Sequence, residues 1–327
     1  MQAFELLTAR KTDDALALIA QYEGAAFIAG GTTVVDLMKC GVTLPPVLID
    51  INGLPFGEID ANEERIRIGA LVRNSDVAYD RNVVHRLPML SKAFLSGASG
   101  QLRNMATVGG NLLQRTRCPY FRDPASRCNK REPGTGCDAF EGIHRGHAIL
   151  GTSNHCIATH PSDAAVALIA LDAVVELAAP GGTRRVPIEE FYIVPGATPS
   201  IENVLLKGEL ITAVEIPLGA AQRNATYLKV RDRASYEFAL VAVAAGLEFD
   251  GGTITQARLA LGGVGAIPWR VRGAEQVLAG KKAGPQAFKE AAEAALEGAI
   301  PRRDNAFKVE LAKRAVVRAL ETVVRER

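Results

Sequence analysis

Cys118, Cys128, Cys137 and Cys156 are the densest concentration of chemistry in the sequence. Their spacing is Cys118-x9-Cys128-x8-Cys137-x18-Cys156, and His144, His147, His155 and His160 lie in or just beyond the same window. Disulfide frameworks belong to small secreted chains. In a chain of 327 residues, clustered cysteines point to metal or redox chemistry. Four thiolates can hold zinc or an iron–sulfur cluster. Structural zinc favours closely spaced cysteine pairs, and none occurs here. Wide gaps suit ligands that reach a larger cubane from different parts of one loop. Unligated loop cysteines are the plain alternative. Cys40 stands apart on a helical stretch and reads as an inert buried thiol. Six basic residues, Arg115, Arg117, Arg122, Arg127, Lys130 and Arg131, surround the first two cysteines. Positive charge there favours a reduced, more negative cluster; a solvated or partner-facing loop is equally compatible.

Two glycine pairs form the second signal: Gly30-Gly31-Thr32-Thr33 and Gly109-Gly110-Asn111. Glycine lets the backbone approach a ligand and adopt positive φ. A helix starting at Thr32 or Thr33 points unpaired N–H groups and a positive dipole end at the same spot. That combination suits a pyrophosphate, although each pair is also readable as a tight strand-to-helix turn. The sequence contains neither G-x-G-x-x-G after a strand nor G-x-x-x-x-G-K-[ST], so no Rossmann site or P-loop is indicated.

The elements that must carry these groups begin with a β-α-β-α-β alternation over the first fifty residues. Thr12 is placed to cap a helix with Leu16, Ile19 and Ala20 on its apolar face. Residues 25–29 read as a short buried strand, 33–40 as a helix, and 47–51 and 65–69 as strands. Residues 87–100 read as helix and 103–112 as a strand-like piece. Residues 114–156 lack periodicity, and a loop of that length is usually functional. Asp163 to Leu171 reads as a helix. Strands follow near 173–177, 204–217, 225–230 and 240–249. Asp250-Gly251-Gly252 turns a hairpin into 254–261. Helices close the chain at 274–279, 285–299 and 308–325.

Composition is ordinary for a globular protein, with 48% hydrophobic residues, 23% charged and a formal charge of +2. Nothing global suggests nucleic acid or a membrane surface. The longest uncharged apolar stretch, Phe238 to Leu247, is half a bilayer span. Met1-Gln2-Ala3-Phe4-Glu5 lacks the basic and apolar regions of a signal peptide.

Phe27-Ile28-Ala29-Gly30-Gly31-Thr32-Thr33, Arg103 through Leu112, and Pro161-Ser162-Asp163-Ala164-Ala165 together resemble the FAD-binding medium subunits of the xanthine dehydrogenase and carbon monoxide dehydrogenase family. Residues Ala257 through Val264, with Pro268-Trp269-Arg270, resemble that family's C-terminal flavoprotein domain. The likeness runs over nearly the whole chain in the same order. It implies an α+β protein: a PCMH-type FAD-binding fold of two α/β subdomains, then a C-terminal domain of antiparallel sheet plus helices. The FAD-binding part would span 1–222, with subdomains of about 1–55 and 56–222, and the C-terminal domain 223–327.

By this resemblance Ala26, Phe27, Ile28, Ala29, Gly30, Gly31, Thr32, Thr33 and Val34 wrap the FAD pyrophosphate. Thr107, Gly110 and Asn111 close on it from the second turn. Asp163 bonds flavin or ribityl hydroxyls, Ile211 packs on the isoalloxazine, and Lys229 lies near the ring. Each has a plainer reading: Asp163 as a first-turn helix acid, Ile211 as core, and Lys229 as a solvated edge residue.

Most medium subunits lack the 114–156 insertion. Here Arg117-Cys118-Pro119-Tyr120-Phe121-Arg122-Asp123, Cys128 through Gly134 and Gly151 through Ala158 are similar to the bacterial periplasmic aldehyde oxidoreductase branch. That likeness implies a [4Fe–4S] cluster on Cys118, Cys128, Cys137 and Cys156. The hydroxybenzoyl-CoA reductase medium subunit is the alternative within the family, with a less similar cysteine spacing. The implied partners are a large molybdenum-cofactor subunit and a small [2Fe–2S] subunit, forming a heterotrimer. FAD would take electrons from the small subunit and give them to an outside acceptor, with no catalytic acid or base on this chain. A periplasmic location would require co-export with a signal-bearing partner; the cytoplasm is the alternative. Two other classes remain open: a stand-alone flavin oxidase of the vanillyl-alcohol type and a zinc-stabilised interaction module.

Overall fold

The computed structural model describes residues 1–326, which form three separate β-sheets. The first comes from β1 (Glu5–Thr8), α1 (Thr12–Gln21), β2 (Ala26–Ile28), α2 (Val34–Lys39) and β3 (Val47–Asp50). Its strands pair in parallel in the order β1-β3-β2, as helical crossovers require. Thr12 is the first helical residue and not the cap; Lys11 holds the cap position without a side-chain bond. Asp13 and Asp14 favour the helix start through its dipole instead. α1 buries Ala15, Leu16 and Ile19, while Ala20 faces solvent. β2 is half-buried rather than buried, because a cavity runs along it.

The second sheet has the order β4-β5-β8-β6-β7. Its strands are β4 (Ile59–Ala61), β5 (Arg65–Gly69), β6 (Val174–Ala179), β7 (Gly182–Pro187) and β8 (Leu210–Pro217). β8 is central and antiparallel to both neighbours. Between β5 and β6 come α3 (Asn74–Tyr79), α4 (Arg81–Arg86), α5 (Pro88–Ser96), α6 (Gly100–Met105), α7 (Val108–Leu112), α8 (Pro119–Arg122) and α9 (Asp163–Ala170). α10 (Ile188–Phe191) precedes β8. The strand-like reading of 103–112 is overturned: this stretch is the end of α6 and the whole of α7. The chain breaks at Ala106, and Thr107 caps α7 by accepting from the Gly110 amide at 3.3 Å. A short helix of Val-Gly-Gly-Asn-Leu has too few side chains to show a helical period.

After α11 (Ala220–Arg223) comes the antiparallel third sheet, in the order β12-β11-β10-β9. It contains β9 (Ala225–Val230), β10 (Val241–Asp250), β11 (Thr253–Gly262) and β12 (Trp269–Arg270). One face packs on α5 and α9 in the core of the second sheet. The other packs on α12 (Arg272–Leu278), α13 (Pro285–Ala295) and α14 (Phe307–Arg325). Cover on both faces explains why β10 reads as an apolar run without alternation. Among the described residues no helix is long and apolar enough to cross a membrane.

Candidate cofactor site

The two glycine turns meet. A Cβ on Gly30 would lie 1.9 Å from the Met105 carbonyl oxygen, so only glycine lets the first turn rest against the end of α6. Gly31 has φ +71°, in the left-handed region that favours glycine. Gly109 donates to the Ala70 carbonyl at 2.8 Å, and a Cβ there would crowd Ala70 at 3.1 Å. The glycines thus lock the turns to one another and to β5.

No acceptor among the described residues takes the amide protons of Gly31, Thr32, Thr33 or Val34. Unsatisfied donors at the start of a helix form an anion-binding arrangement. The amides of the second turn are occupied, Gly109 by Ala70, Gly110 by Thr107 and Asn111 by the Thr107 carbonyl. The first turn therefore offers the backbone donors, and the second closes the wall.

Thr32, Thr33 and Gly110 line two cavities, one on either side of this junction. The first has a volume of about 540 Å³ and is mostly apolar, with Phe27, Leu44, Pro45, Leu210 and Ile211 in its walls. The second, of about 490 Å³, is lined by Asn74, Phe94, Asn111, Asp163, Lys229 and Tyr236, among others. A dinucleotide has this shape: two ring systems joined through phosphates. Ala26, Phe27, Ala29, Gly30, Gly31, Thr32, Thr33, Val34, Thr107 and Gly110 all line the first cavity. Ile28 does not line either, since its side chain packs beside Gly31. Ile211 and Lys229 are not brought together; they line different cavities.

Asp163 begins α9 and is 9% exposed. Its two carboxylate oxygens accept from Tyr227 Oη and Lys229 Nζ, each at 2.8 Å. Burial and the adjacent Asp163 carboxylate push the Tyr227 phenol well above its ordinary value. Lys229 also donates to the Ser96 carbonyl at 3.1 Å. β9 is an edge strand, yet the Lys229 side chain is 3% exposed because it turns onto α5 and α9. The solvated-edge reading of Lys229 is thereby overturned. Ser162 caps α9, accepting from Ala165 at 3.0 Å and donating to Asn111 Oδ1 at 2.5 Å. Asn111 Nδ2 is left without an acceptor among the described residues, on the cavity wall. Asn74 Oδ1, buried on the same wall, lacks a donor. Its type and position gave no sequence signal.

The 114–156 segment is irregular apart from α8 and one 3-10 turn (Asp138–Phe140). Cys128 and Cys137 face each other across an antiparallel bridge. Asp138 and Arg127 clamp it through backbone and side-chain bonds. Cys118 caps α8, and Cys156 follows a turn held by Ser153. All four are free thiols, with Cys128 and Cys156 buried and Cys118 and Cys137 partly so. Burial pushes Cys118 up to about 12, and the nearby Cys128 and Cys156 thiolates push the same way. Cys137 rises to about 11, chiefly by burial, with Cys156 and Cys128 adding to it. Burial also raises Cys156, against the lowering charge of Lys130. Cys118 and Cys137 therefore each lie within the fields of Cys128 and Cys156. Among the described residues, no three His, Cys, Asp or Glu side chains gather closely enough for a single metal ion.

Cys40 is half-exposed at the C-cap of α2, not buried, and Arg122 points at its sulfur from 3.4 Å. Most of the basic residues are tied into ion pairs, with only Arg127 largely solvated among those paired. Arg117 and Arg122 pair with Asp36, Arg115 and Lys130 with Glu202, and Arg127 with Asp138. Arg131 donates to the carbonyls of Tyr120 and Phe121. Five cations share three carboxylates and Arg131 has only carbonyl acceptors, so this group keeps an excess of positive charge.

Family profiles match both halves of the chain. Residues 2–219 match the FAD binding domain in molybdopterin dehydrogenase, and residues 225–323 the CO dehydrogenase flavoprotein C-terminal domain. The chain belongs to the FAD-binding medium subunits of the xanthine dehydrogenase and carbon monoxide dehydrogenase family. It is 49% identical over 322 residues to the aldehyde oxidoreductase FAD-binding subunit PaoB of Escherichia coli K12, covering 98% of both chains. It is 27% identical to the glyceraldehyde dehydrogenase medium chain of Sulfolobus acidocaldarius, over 88% of this chain and 85% of that one. Carbon monoxide dehydrogenase from Hydrogenophaga pseudoflava has the same fold, with a TM-score of 0.78 at 26% identity over 99% of this chain and 98% of that one. This protein is thus an FAD-binding oxidoreductase subunit of the molybdenum hydroxylase type. The α+β architecture expected from the resemblance is the one found.

Proposed function

We propose that this chain is the FAD- and [4Fe–4S]-carrying electron-transfer subunit of a molybdenum-containing aldehyde oxidoreductase. Its partners would be a large molybdenum-cofactor subunit and a small [2Fe–2S] subunit, and the FAD-binding part would end at residue 222. The observation that carries the reading is the pair of cavities joined at four unpaired backbone amides. The PaoB likeness supports the aldehyde assignment; a periplasmic location by co-export with a signal-bearing partner is part of the same proposal.

FAD, when bound, supplies the two-electron chemistry that links the partners' [2Fe–2S] clusters to an external acceptor. The chain's own work is placement. The amides of residues 31–34 receive the pyrophosphate, and Thr33, Thr107, Gly110 and Asn111 enclose it. Lys229 and Asp163 belong beside the isoalloxazine, where the ammonium favours added negative charge. Ile211 then packs on the adenine, because it lines the opposite cavity. No side chain is assigned as acid or base. Cys118, Cys128, Cys137 and Cys156 are the proposed cluster ligands. Cys118 and Cys137 each lie within electrostatic reach of Cys128 and Cys156, and four thiolates are a donor set that a cubane can take.

The test is reconstitution. The chain alone should hold about one FAD, released intact by heat or acid, and show no aldehyde turnover. Turnover should appear only when both partners are added. Full turnover by the isolated chain, or flavin that stays attached after denaturation, would overturn the assignment.

A further inference from the structure

His147 lies inside the cysteine loop and belongs to none of the roles assigned so far. It is 3% exposed, and its Nε2 is 3.2 Å from Cys118 Sγ. Nδ1 is buried without a partner among the described residues. A proton on Nδ1 would be a buried, unpaired donor, which is costly. A ligating thiolate carries no proton of its own, so the ring proton belongs on Nε2, aimed at sulfur.

The imidazole is fixed from outside the loop. Lys308, fully buried at the start of α14, donates to the His147 carbonyl at 2.9 Å and to the Gly263 carbonyl at 2.7 Å. Asn305 Nδ2 reaches the same His147 carbonyl at 3.3 Å. Asp304 Oδ2 accepts from the backbone amide of the nearby His144 at 3.2 Å. Lys308 forms no ion pair with any described carboxylate. A lysine buried at this depth without a carboxylate is uncommon, and here its ammonium is spent on holding one loop carbonyl and one from the turn after β11.

We propose that His147 is a positioning residue of the cysteine site: its Nε2–H donates to the Cys118 sulfur, and Asn305 and Lys308 of the C-terminal domain hold it there. This rests on the cluster reading above. Hydrogen bonds to ligand sulfur stabilise the reduced, more negative cluster and raise its potential. The C-terminal domain thereby acts on a cluster to which it gives no ligand.

The experiment uses the anaerobically purified complex. Midpoint potentials come from EPR-monitored redox titration, with iron and acid-labile sulfide counted per chain. His147→Phe keeps the ring shape and removes the donor; its cluster should titrate at a lower potential with full iron content. His147→Gln, whose amide can donate, should recover much of the shift. Lys308→Met leaves the ring chemistry intact and frees it to move, and should shift the potential in the same direction by less. An unchanged midpoint in His147→Phe at full iron content overturns the inference alone. Should His147→Phe lose iron, Lys308→Met decides, and an unchanged midpoint there overturns it. A wild-type chain without iron sinks the cluster reading and this inference with it.

Discussion

The glycine cradle and the cysteine loop both rest on α2, and they are built in opposite ways. The cradle is made of backbone: strand ends, helix starts and glycines whose missing Cβ atoms let segments touch. Its partners are sheets with large cores on both sides. The loop is held by side chains, through ion pairs to Asp36, Glu202 and Asp138 and by donors to backbone carbonyls. Around its first two cysteines the apolar core is small, Leu37, Phe121 and Cys128 with Val42 and Cys118 against them, while Ile149 and Leu150 join the core under the third sheet. On the cluster reading proposed above, the loop would depend far more on what its thiols hold, because ion pairs with partial exposure contribute little each.

The largest effect that could break this contrast is loss of one cysteine. Cys128→Ser should remove essentially all iron and sulfide and make the 114–156 segment sensitive to protease, while about one FAD per chain remains. Cys40→Ser should leave both contents unchanged. Metal and flavin counts on the two variants check this; equal iron loss from Cys40→Ser would remove the distinction between the thiols.

Gly30→Val is the reciprocal change. The new side chain would collide with the Met105 carbonyl, forcing the two turns apart at a cost of about 1–3 kcal/mol. FAD affinity should fall at least about tenfold, the equivalent of ~1.4 kcal/mol, while iron content holds. Flavin titration and thermal melting would read it, and wild-type affinity would mean that the turn contact does not shape the cradle.

The smallest effect sharpens the comparison by testing what joins the halves. Asp36 accepts from Arg117 at 2.9 Å and Arg122 at 2.7 Å, and it stands on the helix whose first turn faces the phosphate position. These groups are partly exposed, so Asp36→Asn should cost no more than about 1 kcal/mol. Its signature is that both cofactors respond: FAD binds a few-fold more weakly and a chelator removes iron faster. An effect on one cofactor alone would show α2 to be two separate walls.

Much of this was legible in the sequence because it rests on local rules. The parallel unit of the first fifty residues, the β10–β11 hairpin and the irregular loop follow from periodicity, its absence, and turn residues. Gly30 and Gly31 mark backbone positions that a side chain would strain, and the cysteines mark themselves by type. Boundaries failed where local signals were weak, as at Thr12, and where two short helices with a glycine pair imitated a strand at 103–112.

What the chain's order could not reveal is where separate segments meet. Lys229 reads as an edge-strand lysine until α5 and α9 close over it. Asn74 carries no signal until Ala106 and the second cavity are brought to it. Ile211 and Lys229 are ordinary strand residues, and only the packing of β8 and β9 puts them in different cavities. The same holds for His147 and Lys308, 161 positions apart. Residue type and spacing decide what a side chain can do; long-range packing decides which partner it meets, because that depends on how whole sheets and helices bury one another's apolar faces.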